Sequence, residues 1–173
     1  IKLMNERAFK GWCELRDMPR LILIVDGMTD PRNLGACLRS ANAAGVDAVL
    51  LPKRRIAPLS STVMRVAQGG CEELTLVETV NIARTLKWLR EKGVWIIGAD
   101  AAGRSVWESS VENRSLALVI GDEGKGLRRL TKELCDEMVG IPMFGTVESL
   151  NVSVATGVLL FELRRKTTPT ASS

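Results

Sequence analysis

Three stretches of this chain concentrate the residue types that could hold a ligand or move a proton. Ser149-Leu150-Asn151-Val152-Ser153-Val154-Ala155-Thr156-Gly157 reads as a Ser/Asn-led helix that runs apolar to Phe161, after the strand end Ile141-Pro142-Met143. A polar cluster opening a helix offers free backbone N–H groups and side-chain oxygens to a ligand. Asn33-Leu34-Gly35-Ala36-Cys37-Leu38-Arg39-Ser40-Ala41 follows an apolar run, and its small residues allow close approach of another backbone. Asn33 and Arg39 are not quite two helical turns apart, so they need not share a face; a capping Asn and a solvated Arg are the plainer reading. Gly121-Asp122-Glu123-Gly124-Lys125-Gly126-Leu127-Arg128-Arg129 is a glycine loop whose amides could grip a ligand. Its spacing is neither GxxxxGK[ST] nor GxGxxG, which excludes those two phosphate cradles. A simple strand–helix turn is its alternative, with Arg128 and Arg129 as solvated helix-face charges.

Composition narrows the chemistry further. The chain contains no His and no Tyr. The usual general base is therefore missing, and with it the Ser-His-Asp and Cys-His schemes. Cys13, Cys37, Cys71 and Cys135 form no CxxC pair, so reduced, buried thiols are expected and no metal site. A net charge of +4 and a pI near 9.1 suit a polyanionic partner. No apolar run is long enough to span a bilayer and no signal segment opens the chain, so a soluble, cytoplasmic protein is expected.

The elements that would position these stretches alternate along the chain. Strands are expected at Arg20–Val25, Val46–Leu51, Leu74–Val80, Val94–Ile97, Leu116–Ile120 and Met138–Ile141. Helices are expected from Asp30-Pro31 to Ala44, Ser60 to Gln68, Asn81 to Lys92, Leu127 to Cys135, and Ser149 to Arg165. Residues 1–19 read as a short helical lead-in ended by Pro19, Lys53-Arg54-Arg55 as a basic loop, and 167–173 as a disordered tail. The alternation predicts an α/β fold with a parallel six-stranded sheet flanked by helices. A dinucleotide-dependent dehydrogenase would share that alternation. Here the first strand–helix turn lacks GxGxxG, and no acidic ribose-binding residue sits at the required offset.

Taken in order, the three stretches resemble the signature segments of the SpoU branch of the SPOUT RNA methyltransferases, over about Leu21 to Arg165. The resemblance implies an alpha-beta knot: a parallel sheet with a deep C-terminal trefoil knot, which no periodicity argument would propose. It implies S-adenosyl-L-methionine (AdoMet) as cofactor, held against the backbone at Gly121, Ile141 and Leu150, with Gly98, Met143, Ser149 and Asn151 around it. It implies catalytic roles for Arg39, Asn33, Glu123, Ser149 and Asn151, and a homodimer whose site is completed across the interface. The partner would be RNA, met by Arg32 and Arg39, with Lys53, Arg54 and Arg55 as further candidates for phosphate contact.

The likeness is greatest to members that 2′-O-methylate a guanosine of large-subunit (23S) ribosomal RNA. The shorter motifs are shared with the transfer-RNA guanosine enzymes, and an RNA-binding module without activity is a third reading. No metal is required. Residues 20–166 would be the methyltransferase domain. Ribosomal members usually carry a small N-terminal RNA-binding domain, for which the lead-in at 1–19 is too short. A guanidinium is permanently charged in proteins and cannot itself accept a proton. Arg39 is thus expected to be essential, with its standing as a literal base open.

Overall fold

Uninterrupted apolar runs build the middle of the sheet. β2 (Leu21–Val25), β3 (Ala48–Pro52) and β6 (Leu116–Ile120) are buried along their whole lengths. A strand covered on both faces has no wet side, so its sequence shows no polar alternation. The computed structural model describes residues 3–15, 17–111 and 114–168. β1 (Met4–Asn5), β4 (Thr75–Thr79), β5 (Trp95–Ser105) and β7 (Glu137–Gly140) complete a sheet ordered β1-β4-β3-β2-β6-β5-β7, with every pairing parallel.

The pleat of the strands sorts the core into two layers. Leu21, Leu23 and Val25 point to one side, among Leu34 and Leu38 of α2 (Pro31–Ala43), α3 (Ser61–Ala67), and Leu159 and Leu163 of α7 (Val152–Thr167). Ile22 and Ile24 point to the other, among Phe9 of α1 (Glu6–Glu14) and Leu86 and Leu89 of α5 (Ile82–Glu91). Each such Leu, Ile or Phe contributes about 1.5–3 kcal/mol by leaving water. The helices start where local chemistry says they should. Asp30 Oδ1 accepts from the backbone N–H groups of Arg32 (2.8 Å) and Asn33 (3.4 Å) ahead of Pro31. Those bonds hold the Asp30 carboxyl below its usual range. Ser60 and Asn81 cap α3 and α5 in the same way.

Several expectations need correction. The sheet has seven strands among the described residues, not six. The extra one, β1, is two residues long and pairs Met4 with Val77, too short to show any periodicity. β5 does not stop at Ile97 but runs to Ser105 through small and polar residues of low strand propensity. β7 ends at Gly140, so Ile141 to Met143 are irregular rather than strand. Helix α6 covers only Arg129–Glu133, and α7 begins at Val152 with Asn151, not Ser149, as its cap. Gly69-Gly70 reads by composition as a break, but Gly70 opens a short helix, α4 (Gly70–Glu73). Of the expected tail, Thr167 closes α7 and Thr168 caps it, while 169–173 lie outside the described residues.

Candidate active site

Two chain reversals at the carboxyl ends of the strands enclose a cavity. The first is the loop after β6. A Cβ on Gly121 would lie 2.3 Å from the Gly126 carbonyl carbon and 2.5 Å from the Leu127 nitrogen, so only glycine lets the loop close on itself. The Gly126 N–H donates to the Asp122 carbonyl (2.7 Å) and the Gly124 N–H to Asp122 Oδ1 (3.0 Å). The second reversal is in β5, which leaves β7 after Ala99 and rejoins it at Arg104, both residues pairing with Val139. The two strands touch backbone to backbone there. A Cβ on Gly140 would stand 2.6 Å from the Asp100 carbonyl oxygen.

Between these reversals and the first turns of α7 is a cavity of about 240 Å³. Ile120, Val139, Leu150 and Leu159 give it apolar walls, while Asp100, Asp122, Glu123 and Glu148 bring four carboxylates. No Lys or Arg lines it among the described residues, in a chain of net charge +4. Such a cavity suits a ligand with a flat apolar part and a cationic part. Asn151 Oδ1 accepts from the Ser153 N–H (2.9 Å) and hydroxyl (2.6 Å), which fixes the start of α7 against the cavity. Thr156 donates to the Val152 carbonyl (2.7 Å) and hydrogen-bonds the Cys37 thiol of α2. Burial pushes that thiol up to about 12; the Thr156 bond opposes the rise and the Glu123 charge adds to it. Among the described residues no cluster of Cys, Asp or Glu is arranged to hold a metal.

Of the residues singled out from the sequence, Gly121, Glu123, Ile141, Met143, Ser149, Leu150 and Asn151 line this one cavity. Gly98 does not. Its missing Cβ faces Met138, Cys135 and Leu127 on the opposite side of the sheet, and its neighbours Ala99 and Asp100 line the cavity instead. Asn33 is buried in the first turn of α2 beside Asp30, and Arg39 is exposed further along α2, next to Gly70; neither lines the cavity. Arg32, Lys53 and Arg54 are exposed, and Arg55 approaches Asp26. Sequence reasoning missed Asp100, Asp122 and Glu148 as lining groups, and Asp26 and Arg128 as partners. Asp122 sat inside a stretch already recognised. Nothing local marked Asp100, because the excursion that presents it is made by pairing with a distant strand.

The sequence matches the SpoU rRNA Methylase family over residues 20–161. The 23S rRNA (guanosine-2'-O-)-methyltransferase RlmB of Vibrio cholerae is 55% identical over 164 residues, 94% of this chain and 66% of that protein. The SpoU methyltransferase AviRb of Streptomyces viridochromogenes, crystallised with AdoMet, superposes with a TM-score of 0.75 at 27% identity, covering 84% of this chain and 59% of that one. A TrmH/SpoU tRNA modifying enzyme of A. aeolicus superposes with a TM-score of 0.76 at 27% identity, covering 85% and 75%. The chain spans slightly less than two thirds of the length of the curated relatives it matches.

Proposed function

The chain belongs to the SpoU rRNA methylase family, and on that premise we propose that it transfers a methyl group from AdoMet to the ribose 2′-hydroxyl of a guanosine in 23S rRNA, in the bacterial cytoplasm. The observation that carries this reading is the convergence of residues 121–126 and 141–151 on one acidic, apolar-walled cavity. The ribosomal substrate is favoured over transfer RNA by the 55% identity to the 23S rRNA enzyme over 94% of this chain.

The cavity fits the donor. AdoMet carries a sulfonium and an ammonium, which the four carboxylates complement, and an adenine ring, which the apolar walls accept. When bound, it supplies a methyl group already activated on sulfur. The backbones of Gly121, Ile141 and Leu150 hold it, Met143 closes one side, and Ser149 and Asn151 keep the third loop in place. Glu123 holds its loop and pairs with a cationic group. Holding hydroxyl and methyl donor in line contributes on the order of 7–11 kcal/mol. Arg39 stabilises the developing alkoxide and grips the neighbouring phosphate, and Asn33 orients that guanidinium. Being permanently charged, Arg39 passes no proton; the proton goes to a phosphate oxygen or water.

Because Arg39 lines no part of its own chain's cavity, the working unit is a homodimer in which the Arg39 of a second copy completes the site. Phe144, 91% exposed, together with exposed Val147, Val154 and Phe161, gives that pairing an apolar surface beside the cavity. Residues 20–166 form the methyltransferase domain, with 1–19 as its lead-in. The C-terminal strands and α7 form the family's deep trefoil knot, a reading that rests on membership of the family. The test is incubation with tritiated AdoMet and separate ribosomal and transfer RNA pools, followed by nucleoside mapping. Label is expected as 2′-O-methylguanosine in 23S rRNA. Label confined to transfer RNA would move the protein to that branch, and no label despite AdoMet binding would make it a non-catalytic module.

A further inference from the structure

Asp26, 1% exposed, is the most deeply buried charged residue among those described, and two arginines approach it. Its Oδ1 accepts from Arg128 Nη2 (2.6 Å) and Nε (3.0 Å), and its Oδ2 from the Arg128 backbone N–H (3.0 Å). Its own N–H donates to the Ile120 carbonyl (2.8 Å), at the end of β6. Arg55 Nη2 stands 3.8 Å from the same Oδ1. One carboxylate thus collects two guanidinium groups and leaves a local charge of +1. Both arginine side chains remain open to water, 52% and 43% exposed.

The two arginines are held differently. Arg128 is locked by three hydrogen bonds. Arg55 is oriented by charge but too far for a hydrogen bond, so its donors keep their capacity for a ligand. Its backbone is the more constrained part. Arg55 adopts φ +60°, a left-handed conformation that costs a non-glycine residue and persists only where the surroundings impose it. Here the Met28 N–H donates to the Arg55 carbonyl (2.8 Å), and Gly27 leaves room for the side chain: a Cβ there would lie 3.1 Å from Arg55 Nη1.

The place is favourable too. β2 lies between β3 and β6, so the chain builds outward from β2 in opposite directions, and open α/β sheets bind ligands beyond the strand ends at such a point. Asp26 continues the alternation of Ile22 and Ile24 and acts on Cys135, which places it on the α5 side of the sheet. The cavity lies on the α7 side, with Ile120 and Leu159. The loop 121–128 runs from one to the other.

We propose that Arg55 and Arg128, positioned by Asp26, form a phosphate-binding fork for the RNA backbone, separate from the AdoMet cavity. The fork rests on the RNA-substrate reading above. Planar guanidinium donors match phosphate oxygens, and a carboxylate behind them fixes their direction without cancelling their charge. Asp26 is a positioning residue and touches no substrate.

The test is fluorescence anisotropy with a labelled single-stranded oligoribonucleotide over a range of KCl, with AdoMet affinity by calorimetry and melting temperature as controls. Arg55→Gln should weaken RNA binding about three- to tenfold at low salt and lower the slope of log K against log salt by about 0.7. Asp26→Asn/Arg128→Gln removes the buried charge with its partner, so the fold is kept; it should give a similar loss. AdoMet affinity should stay within about twofold in both variants, since neither changes the cavity. If both variants bind RNA with wild-type affinity and slope while the wild type binds RNA and AdoMet, the fork is wrong and the methyltransferase reading stands. An equal loss in Arg54→Gln, which lacks the Asp26 tether, overturns the fork by making the effect diffuse. A wild type that binds AdoMet but no RNA overturns both.

Discussion

The cavity and the Asp26 fork lie at the same edge of one sheet and carry opposite charge. The cavity gathers Asp100, Asp122, Glu123 and Glu148 with no lining cation. The fork gathers Arg55 and Arg128 about a single acid, with Lys53 and Arg54 beside it. A net charge of +4 conceals this segregation. On the proposed function the difference has a use: a cationic donor and a polyanionic acceptor would each meet the opposite sign of charge, and only the reacting atoms would need to converge. The two regions also differ in how their polar groups are engaged. At the fork the buried carboxylate is fully occupied. In the cavity Asp122 accepts from the Gly124 N–H (3.0 Å) and Asp100 from the Ala102 N–H (2.9 Å), with Lys132 Nζ 3.4 Å from the other Asp100 oxygen, so only part of the acidic charge there is already engaged.

That comparison can be broken at several points. The largest effect is expected where donor and acceptor meet. Arg39→Ala should reduce methyl transfer about 10²–10³-fold, with Arg39→Lys between it and wild type and AdoMet affinity unchanged. Near-normal turnover in the Ala variant would remove Arg39 from the chemistry. Next is Gly121→Ala, which forces a Cβ to within 2.3 Å of backbone. It should cost about 1–3 kcal/mol of stability by denaturant titration, and AdoMet binding should fall in calorimetry. Arg128→Gln strands the Asp26 carboxylate and should cost about 1–3 kcal/mol, part of which returns in Asp26→Asn/Arg128→Gln. A single variant as stable as wild type would mean water already serves Asp26.

Smaller still, Glu148→Gln should weaken AdoMet about two- to fivefold, an exposed-pair magnitude, and less at high salt. An unchanged affinity would deprive the cavity's charge of its role. The slightest effect at neutral pH concerns Cys37. Its thiol is raised from 9.0 to about 12, so the neutral form is the one the fold prefers. The stability this carries is fully present below pH 9 and is lost as pH climbs from about 9 to about 12. Cys37→Ala should flatten the alkaline limb of a stability-against-pH curve, and native Cys37 should resist thiol reagents at pH 8.

Much of this was legible in the chain because it is local. The runs Leu21–Val25 and Leu116–Ile120 announced buried parallel strands, and Asp30, Ser60 and Asn81 announced helix starts, since a cap acts within three residues. The glycine stretch and the Ser149–Asn151 stretch also stood out by composition as chain that could face a ligand, and both line the cavity. What remained hidden is what depends on residues far apart. Asp100 enters the cavity only because β5 pairs twice with Val139. Arg128, expected to be a solvated charge, is fixed by Asp26, 102 residues away.

The sequence by itself determined the strand–helix alternation, the caps, the three polar stretches, and the absence of a histidine base, all properties of residue type and short spacing. Only the tertiary structure decided that two of those stretches share a cavity while Asn33 and Arg39 stand outside it, and that acid and base divide between two sites. Electrostatic and packing energies depend on separation in space, and a pair distant along the chain leaves no local pattern to read.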